Sequence, residues 1–399
     1  MAPLAGLKVL ELARVLAGPW AGQLLADLGA DVVKVESLAG DDTRRWGPPS
    51  VDNPDGTHDA TYFHACNRGK RSVAVDFSKA EGREIVQKLA ADSDVLVENF
   101  KTGGLAKYGL DYGTLRAANP RLVYCSITGF GLTGPEAHRP GYDFMIQGMG
   151  AIMDLTGPAD APPQKVGLAF VDIFTGVYAV VAIQAALAAR DKTGAGQLID
   201  MSLLDTAASV TSYHAMAYLA AGVAPSRIGN AHPNIVPYQE FAARDGHLII
   251  AVGNDGQFKR LCDVIGLSAL AADPRYASNE LRVTHRRELV PELAARIATF
   301  HRDDLLEKLE GATVPAGPIN TVAQLFAEPQ VIHRGMRLDL ATGDGRTVPS
   351  VRSPILMSET PLTYTHASPR LGEHTDAILA SLGYAAGDTE RLRRERIVG

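Results

Sequence analysis

The sequence predicts an open, doubly wound, Rossmann-like α/β domain together with a smaller α+β domain. Three observations carry this. Short runs rich in Val, Ile and Leu alternate with helical stretches through the first half of the chain. The first two runs, residues 7–13 and 31–36, enclose a single helix. After residue 225 the alternation stops, and a hairpin followed by polar helices replaces it. Strand, helix and strand within about thirty residues form a βαβ unit, which is right-handed and lies in a parallel sheet.

Taken in order, residues 7–13 are a buried strand. Gly18-Pro19 then starts a helix, with Pro suited to a first turn, and the helix stops at Gly29. Residues 31–36 are the second strand and 72–77 the third, followed by a helix over 80–91. Residues 95–100 and 121–127 are further strands. The longest apolar run, 173–189, follows Asp172 directly, holds Gln184 and ends at Arg190, as a core helix does. Residues 197–203 are one more strand, and 206–221 a helix rich in small residues. Residues 225–237, rich in Gly, Asn and Pro, read as a linker. Residues 238–242 and 247–252 flank the turn Arg244-Asp-Gly246 as a hairpin, and polar helices continue to Leu309. Beyond Leu338 come strand-like, turn-rich pieces and a helix over 375–382.

Composition narrows the function. An apolar fraction of 46% is that of a globular protein, and a net charge of −6 gives no support to a nucleic-acid partner. The three cysteines, Cys66, Cys125 and Cys262, show neither pairing nor metal spacing, which suits a reducing, cytoplasmic compartment. The first residues lack the pattern of a signal peptide, so no export and no membrane are expected. The first βα turn, Ala13-Arg-Val-Leu-Ala-Gly-Pro19, has no Gly-x-Gly-x-x-Gly, which argues against a nicotinamide dehydrogenase. P-loop, His-Glu-x-x-His and Gly-x-Ser-x-Gly motifs are absent, and the eleven histidines are dispersed.

Two features carry chemistry. Asn67-Arg-Gly-Lys-Arg71 is either a phosphate-pairing loop or a solvated turn. Asp172, between Phe-Val and Ile-Phe at a helix start, is either a helix cap or a nucleophile. Residue types and spacing leave both pairs of alternatives open.

Six ordered motifs extend across the chain: Gly18-Pro19 with residues 28–36, Asn67-Arg-Gly-Lys-Arg-Ser72, Glu98-Asn-Phe100, Ser126-Ile-Thr-Gly-Phe-Gly131, Asp172-Ile-Phe-Thr-Gly176 and Leu371-Gly-Glu-His-Thr375. Together they resemble the class III coenzyme A transferases, the formyl-CoA and carnitine CoA-transferase family. The resemblance implies a large α/β domain built from both chain ends, with residues 1–205 and a returning segment 331–399. Residues 206–225 are then a linking helix and 226–330 the small domain, in an interlocked homodimer. Acyl-CoA and a carboxylic acid are the implied substrates, with no resident cofactor, no metal and no ATP.

The family's nucleophilic aspartate falls on Asp172. Its carboxylate attacks an acyl-CoA thioester to give a mixed anhydride, and the released thiolate then forms an aspartyl-CoA thioester. A helix start is expected to keep Asp172 ionised, and Phe170, Val171, Ile173 and Phe174 to shield it from water. Tyr142, Leu16, Gly229 and His232 support the site in this reading. CoA contacts carry over to Val15, Ala17, Arg44, Arg68, Lys70, Arg71, Asn99, Phe100 and Lys107.

Departures narrow the substrate. Ser37 stands where formyl-CoA transferases have an arginine, and their glycine run is here Gly229-Asn-Ala-His-Pro233, which puts formate and oxalate in doubt. The related 2-methylacyl-CoA racemases use a histidine in Gly-His-Asp, where this chain has Gly141-Tyr-Asp143, and a phenol is a poor proton shuttle at neutral pH. Residues 229–239 are similar to those of succinyl-CoA:dicarboxylate transferases. A second acceptor carboxylate would need Arg14, Arg44 or His232. A non-catalytic CoA-binding protein is the remaining alternative, disfavoured because a carboxylate in an apolar setting is costly without a use.

Overall fold

The computed structural model of the protein describes residues 1–399. The chain divides into two compact units. Met1–Ile152, Val166–Ala215 and Gln330–Gly399 make the first, and Met153–Lys165 with Met216–Pro329 the second.

The first unit is organised by a six-stranded parallel sheet. Its order is Lys70–Ala74, Asp31–Glu36, Lys8–Glu11, Val95–Glu98, Val123–Thr128 and Leu198–Ser202. Side chains alternate between the two faces: Val9, Val95 and Val97 enter one core cluster, Leu10 and Leu96 the other. Burial on both faces explains why these strands read as apolar runs. From Lys8–Glu11 the chain first builds outward through Asp31–Glu36 and Lys70–Ala74. It then crosses to Val95–Glu98 on the opposite side of the first strand. The loops leaving Lys8–Glu11 and Val95–Glu98 therefore diverge, and a crevice opens between them at the carboxyl end of the sheet.

The stretch read as one helix over 206–221 is two, Leu203–Val210 and Ser212–Ala221. Ser212 has φ 47°, and the Thr211 hydroxyl donates to the Ala208 carbonyl at 2.7 Å. This local side-chain bond competes with the helical ladder where the break occurs.

The helix Phe170–Thr193 is, by length and composition, apolar enough to cross a membrane. Here it packs on the helix Ala17–Asp27 and buries Val171, Ala179, Val180, Ile183 and Leu187, while Val177, Tyr178 and Val181 stay exposed. The two helices touch at Gly176, where an added Cβ would lie 2.7 Å from the Ala17 carbonyl oxygen and 3.1 Å from the Trp20 ring. Gly176→Ala should therefore lower stability by about 1–3 kcal/mol, read from the urea midpoint. An unchanged midpoint would mean that the helices separate without cost.

The second unit holds a three-stranded antiparallel sheet, ordered Ala316–Pro318, Gly246–Ala251, Tyr238–Ala243. Helices Asp255–Ile265, Arg286–Ile297 and Arg302–Gly311 cover it over a core that includes Phe241, Leu248, Ile250, Phe258 and Leu293.

Candidate functional site

A cavity of about 760 Å³ occupies the crevice of the first unit. Residues 14–17, 99–104, Lys107, 127–129 and 139–142 line it, and Asp172 is its one carboxylate.

The loop after the first strand is held at every residue. Lys34 Nζ donates to the Ala13 carbonyl at 2.8 Å. Asn99 clamps Arg14, accepting from its N–H at 2.8 Å and donating to its carbonyl at 2.7 Å. The Val15 N–H points at the Asp41 carboxylate, 3.3 Å from the nearer oxygen, and the Val15 carbonyl accepts from the Cys66 thiol. These contacts keep Val15 at φ 71°, a left-handed conformation that costs a β-branched residue about 1–3 kcal/mol. The helix Ala17–Asp27 starts directly afterwards without a side-chain cap. The N–H groups of Leu16 and Ala17 donate to no protein acceptor, and both residues line the cavity.

Asp172 is the third residue of its helix, and the structure corrects both expectations about its setting. It does not cap the helix. Ala169, at the cap position, has no acceptor, and Asp143 supplies one from another element. Asp143 Oδ1 accepts from the N–H groups of Val171 and Asp172 at 2.8 and 3.2 Å. Gln147, one turn on from Asp143, donates to Asp143 Oδ2 and to the Leu168 carbonyl, and accepts from the Val166 N–H. Nor does the helix start favour ionisation of Asp172. Its pKa is pushed up to about 7, first by burial and then by the charge of Asp143, because the helical N–H groups already serve Asp143.

Of the proposed shielding residues, Val171 is buried, Phe170 and Ile173 half-buried, and Phe174 37% exposed, with the Phe170 and Phe174 rings 4.5 Å apart.

Four cations assigned to CoA from the sequence are spent elsewhere. Lys70 is fully buried, with Nζ on Glu11, the Pro19 carbonyl and Asn67. Arg44 is buried against Glu36, Asp59 and the Pro369 carbonyl, with its guanidinium 3.6 Å from the Phe63 ring centre. Arg68 forks onto Asp27 and reaches the Ser350 hydroxyl. Arg71 forks onto Asp31 at the amino end of the sheet, away from the crevice. The buried cations Lys70, Arg44 and Arg68 are tolerated because each is paired and hydrogen-bonded, which leaves them nothing for an external phosphate, whereas Arg71 is partly exposed. Arg44 is thereby also removed as a partner for an acceptor carboxylate.

Other assigned residues do meet in the cavity: Val15, Leu16, Ala17, Asn99, Phe100, Lys107 and Tyr142. The Phe100 N–H donates to Glu98 at 2.7 Å, and its ring meets Phe77 edge-on and Arg14 at 5.5 Å. Tyr142 is 66% exposed, next to Gly141, whose Cα leaves no room for a side chain on Gly129. Gly229 and His232 belong to the second unit. There the Gly229 N–H donates to the Gly157 carbonyl, and His232 packs on Tyr238 and accepts from the Asn234 N–H.

Four residues escaped the sequence reading. Asp143 lay inside a noted motif without a role, although an alanine at the helix cap signals that a cap must come from outside. Lys101 and Arg139 line the cavity with Arg14 and Lys107. Burial, and after it the charge of Asp172, pushes the Tyr62 phenol up to about 12, which puts Tyr62 in electrostatic reach of the nucleophile candidate.

Residues 4–375 match the model of a family described as CoA-transferase family III. A succinate–glutarate CoA-transferase of Agrobacterium fabrum is 54% identical over 95% of this chain and 96% of its own length. The mouse succinyl-CoA:glutarate CoA-transferase is 42% identical, covering 98% of this chain and 89% of its own. The crystal structure of a CaiB/BaiF family protein from Brucella suis superposes with a TM-score of 0.87 at 58% identity, over 96% of this chain and 99% of that one.

Proposed function

We propose that this chain, which belongs to CoA-transferase family III, carries CoA from succinyl-CoA to glutarate or a similar dicarboxylate through covalent intermediates on Asp172. The observation that carries the chemistry is that Asp172 is the one carboxylate in a cavity that also offers unpaired N–H groups on Leu16 and Ala17.

Ionised Asp172 attacks the thioester carbonyl. The tetrahedral oxyanion is stabilised by the free N–H groups, and CoA leaves as thiolate, giving an acyl-aspartyl anhydride. The thiolate attacks the Asp172 carbonyl carbon of that anhydride and expels succinate, leaving an aspartyl-CoA thioester. The acceptor carboxylate attacks this thioester to form a new anhydride and free thiolate. The thiolate then takes the acceptor's acyl carbon and returns Asp172 as carboxylate. Each intermediate conserves the thioester's activation, so ATP has no part in the balance.

Lys101 and Lys107 are the cavity cations available to CoA phosphates, with Arg139, which pairs with Glu136 in a partly exposed ion pair, beside them and Phe100 as an apolar wall. Arg14 is the acceptor's partner in this reading. It stands in the cavity, half-exposed, and its one carboxylate contact is Asp42 at 3.4 Å. The names of the relatives support succinate and glutarate as the exchanged acids. Exposed Tyr213, Met216, Tyr218 and Leu219 support a homodimer that covers them, and three buried free cysteines suit the cytoplasm.

The test is an acid panel incubated with succinyl-CoA, with new thioesters identified by mass spectrometry. Glutarate should give the highest kcat/KM, and Arg14→Ala should cost dicarboxylates about tenfold or more while sparing monocarboxylates. Acetate or propionate outrunning glutarate in the wild type would defeat the dicarboxylate assignment.

A further inference from the structure

The loop that carries Val15 is braced by a buried ion pair between Lys34 and Asp41. Asp41 is 1% exposed and Lys34 fully buried, with Lys34 Nζ 3.0 Å from Asp41 Oδ2. Lys34 also bonds Glu11 at 3.0 Å and the Ala13 carbonyl at 2.8 Å. Asp41 Oδ1 accepts from the Thr43 N–H at 3.0 Å and the Thr43 hydroxyl at 2.8 Å, and both Asp41 oxygens face the Val15 N–H. The Asp41 N–H is itself tied to Glu36. One ion pair thus reaches the loop on both sides of Arg14, through the Ala13 carbonyl and the Val15 N–H. Val15 between these anchors has the left-handed conformation that its side chain resists.

We propose that Asp41, held by Lys34, is a positioning residue for the transfer: it pins the N–H of Val15 and so turns the free N–H groups of Leu16 and Ala17 toward the cavity that holds Asp172. The inference rests on the nucleophilic reading of Asp172. Without the clamp, Val15 relaxes to negative φ, and the next two peptide planes rotate with it. The donors would then have to reorganise at the moment of reaction, which is the cost a preorganised site avoids. Burial opposes a charge on Asp41, but Lys34 and the bonds from Thr43 outweigh it and hold the carboxyl down at about 2, so the clamp is charged throughout the working pH range.

The experiment uses full-length Val15→Gly and Asp41→Asn, with single-turnover formation of the acyl-enzyme trapped by hydroxylamine. Glycine accepts φ 71° without strain, so Val15→Gly should be at least as thermostable as the wild type. It keeps the backbone N–H and the Asp41 clamp, so its trapping rate should stay within about threefold of the wild type. Asp41→Asn should lower the trapping rate about 10- to 100-fold, with the KM for succinyl-CoA within about threefold, and should lower the melting temperature, because Lys34 and Lys70 are then left to share Glu11. Asp41→Asn trapping at the wild-type rate, or losing rate only in proportion to KM, overturns the proposal, as does a Val15→Gly, Asp41→Asn double variant that recovers none of the lost rate, because glycine holds φ 71° without the clamp. Absence of any hydroxamate at Asp172 in the wild type would instead overturn the nucleophilic reading on which it rests.

Discussion

Asp172→Ala should lower CoA transfer by on the order of 10⁴-fold or more while the protein still folds and binds CoA. The cavity walls and cations proposed to hold CoA come from other segments, so binding should survive loss of the carboxylate. Hydroxylamine added to the wild type with succinyl-CoA should leave a hydroxamate on the peptide containing Asp172 and on no other. Transfer by the alanine variant within tenfold of the wild type would exclude the covalent route. Stability supplies an independent readout. The folded-state pKa of Asp172 is raised to about 7, above the unfolded carboxylate value near 4. The folded protein therefore holds that proton more tightly, and stability falls as pH rises from about 4 through 7. Asp172→Asn removes this loss. Its melting temperature should exceed that of the wild type at pH 8, and the gap should shrink toward pH 4.

The second large effect is on the pH profile. The nucleophile must be ionised, so single-turnover acylation in the wild type should fall as pH drops below about 7. Burial is the larger cause of that position and the Asp143 charge the second. Asp143→Asn keeps an oxygen able to accept from Val171 and Asp172 but removes the charge. Its acidic limb should move to lower pH by on the order of one unit, remaining above the ordinary carboxylate value because burial persists. Asp143→Ala removes the acceptor as well, and peptides spanning 166–172 should then exchange amide hydrogen faster, with acylation slowed about tenfold or more. The other polar groups around this point are Gln147, whose donation to Asp143 Oδ2 both substitutions change, and Tyr62, Arg14 and Tyr142, which neither alters. An acidic limb that stays in place in Asp143→Asn would show that Asp143 acts on position only.

The parallel sheet was legible because strands buried on both faces must be apolar, and the helix after Asp172 because its apolar run ends in charge at Arg190. Asp172 itself stood out as a lone carboxylate among large apolar residues. Four of the assigned basic residues, Arg44, Arg68, Lys70 and Arg71, sit in ion pairs rather than in the cavity, for a physical reason. Lys70 meets Glu11 fifty-nine positions away, and Arg68 meets Asp27 forty-one away, so a local window shows the charge without its partner. A signal was nevertheless present: Glu11, Lys34 and Glu36 lie inside otherwise apolar strands, where a charge persists only if another element supplies its opposite. Those carboxylates are what absorb Lys70 and Arg44, and the cavity is left to Arg14, Lys101, Lys107 and Arg139.

Sequence alone determined the class of sheet and the family pattern, and it singled out Asp172 as a lone carboxylate among apolar residues, because apolar periodicity and motif order are local properties of the chain. Tertiary structure decided which cations face the cavity, that Asp143 rather than Asp172 accepts the helix N–H groups, and that Asp172 titrates near neutrality. Those outcomes depend on burial and on the distance between charges remote in sequence, and both come into existence only when the chain has closed around them.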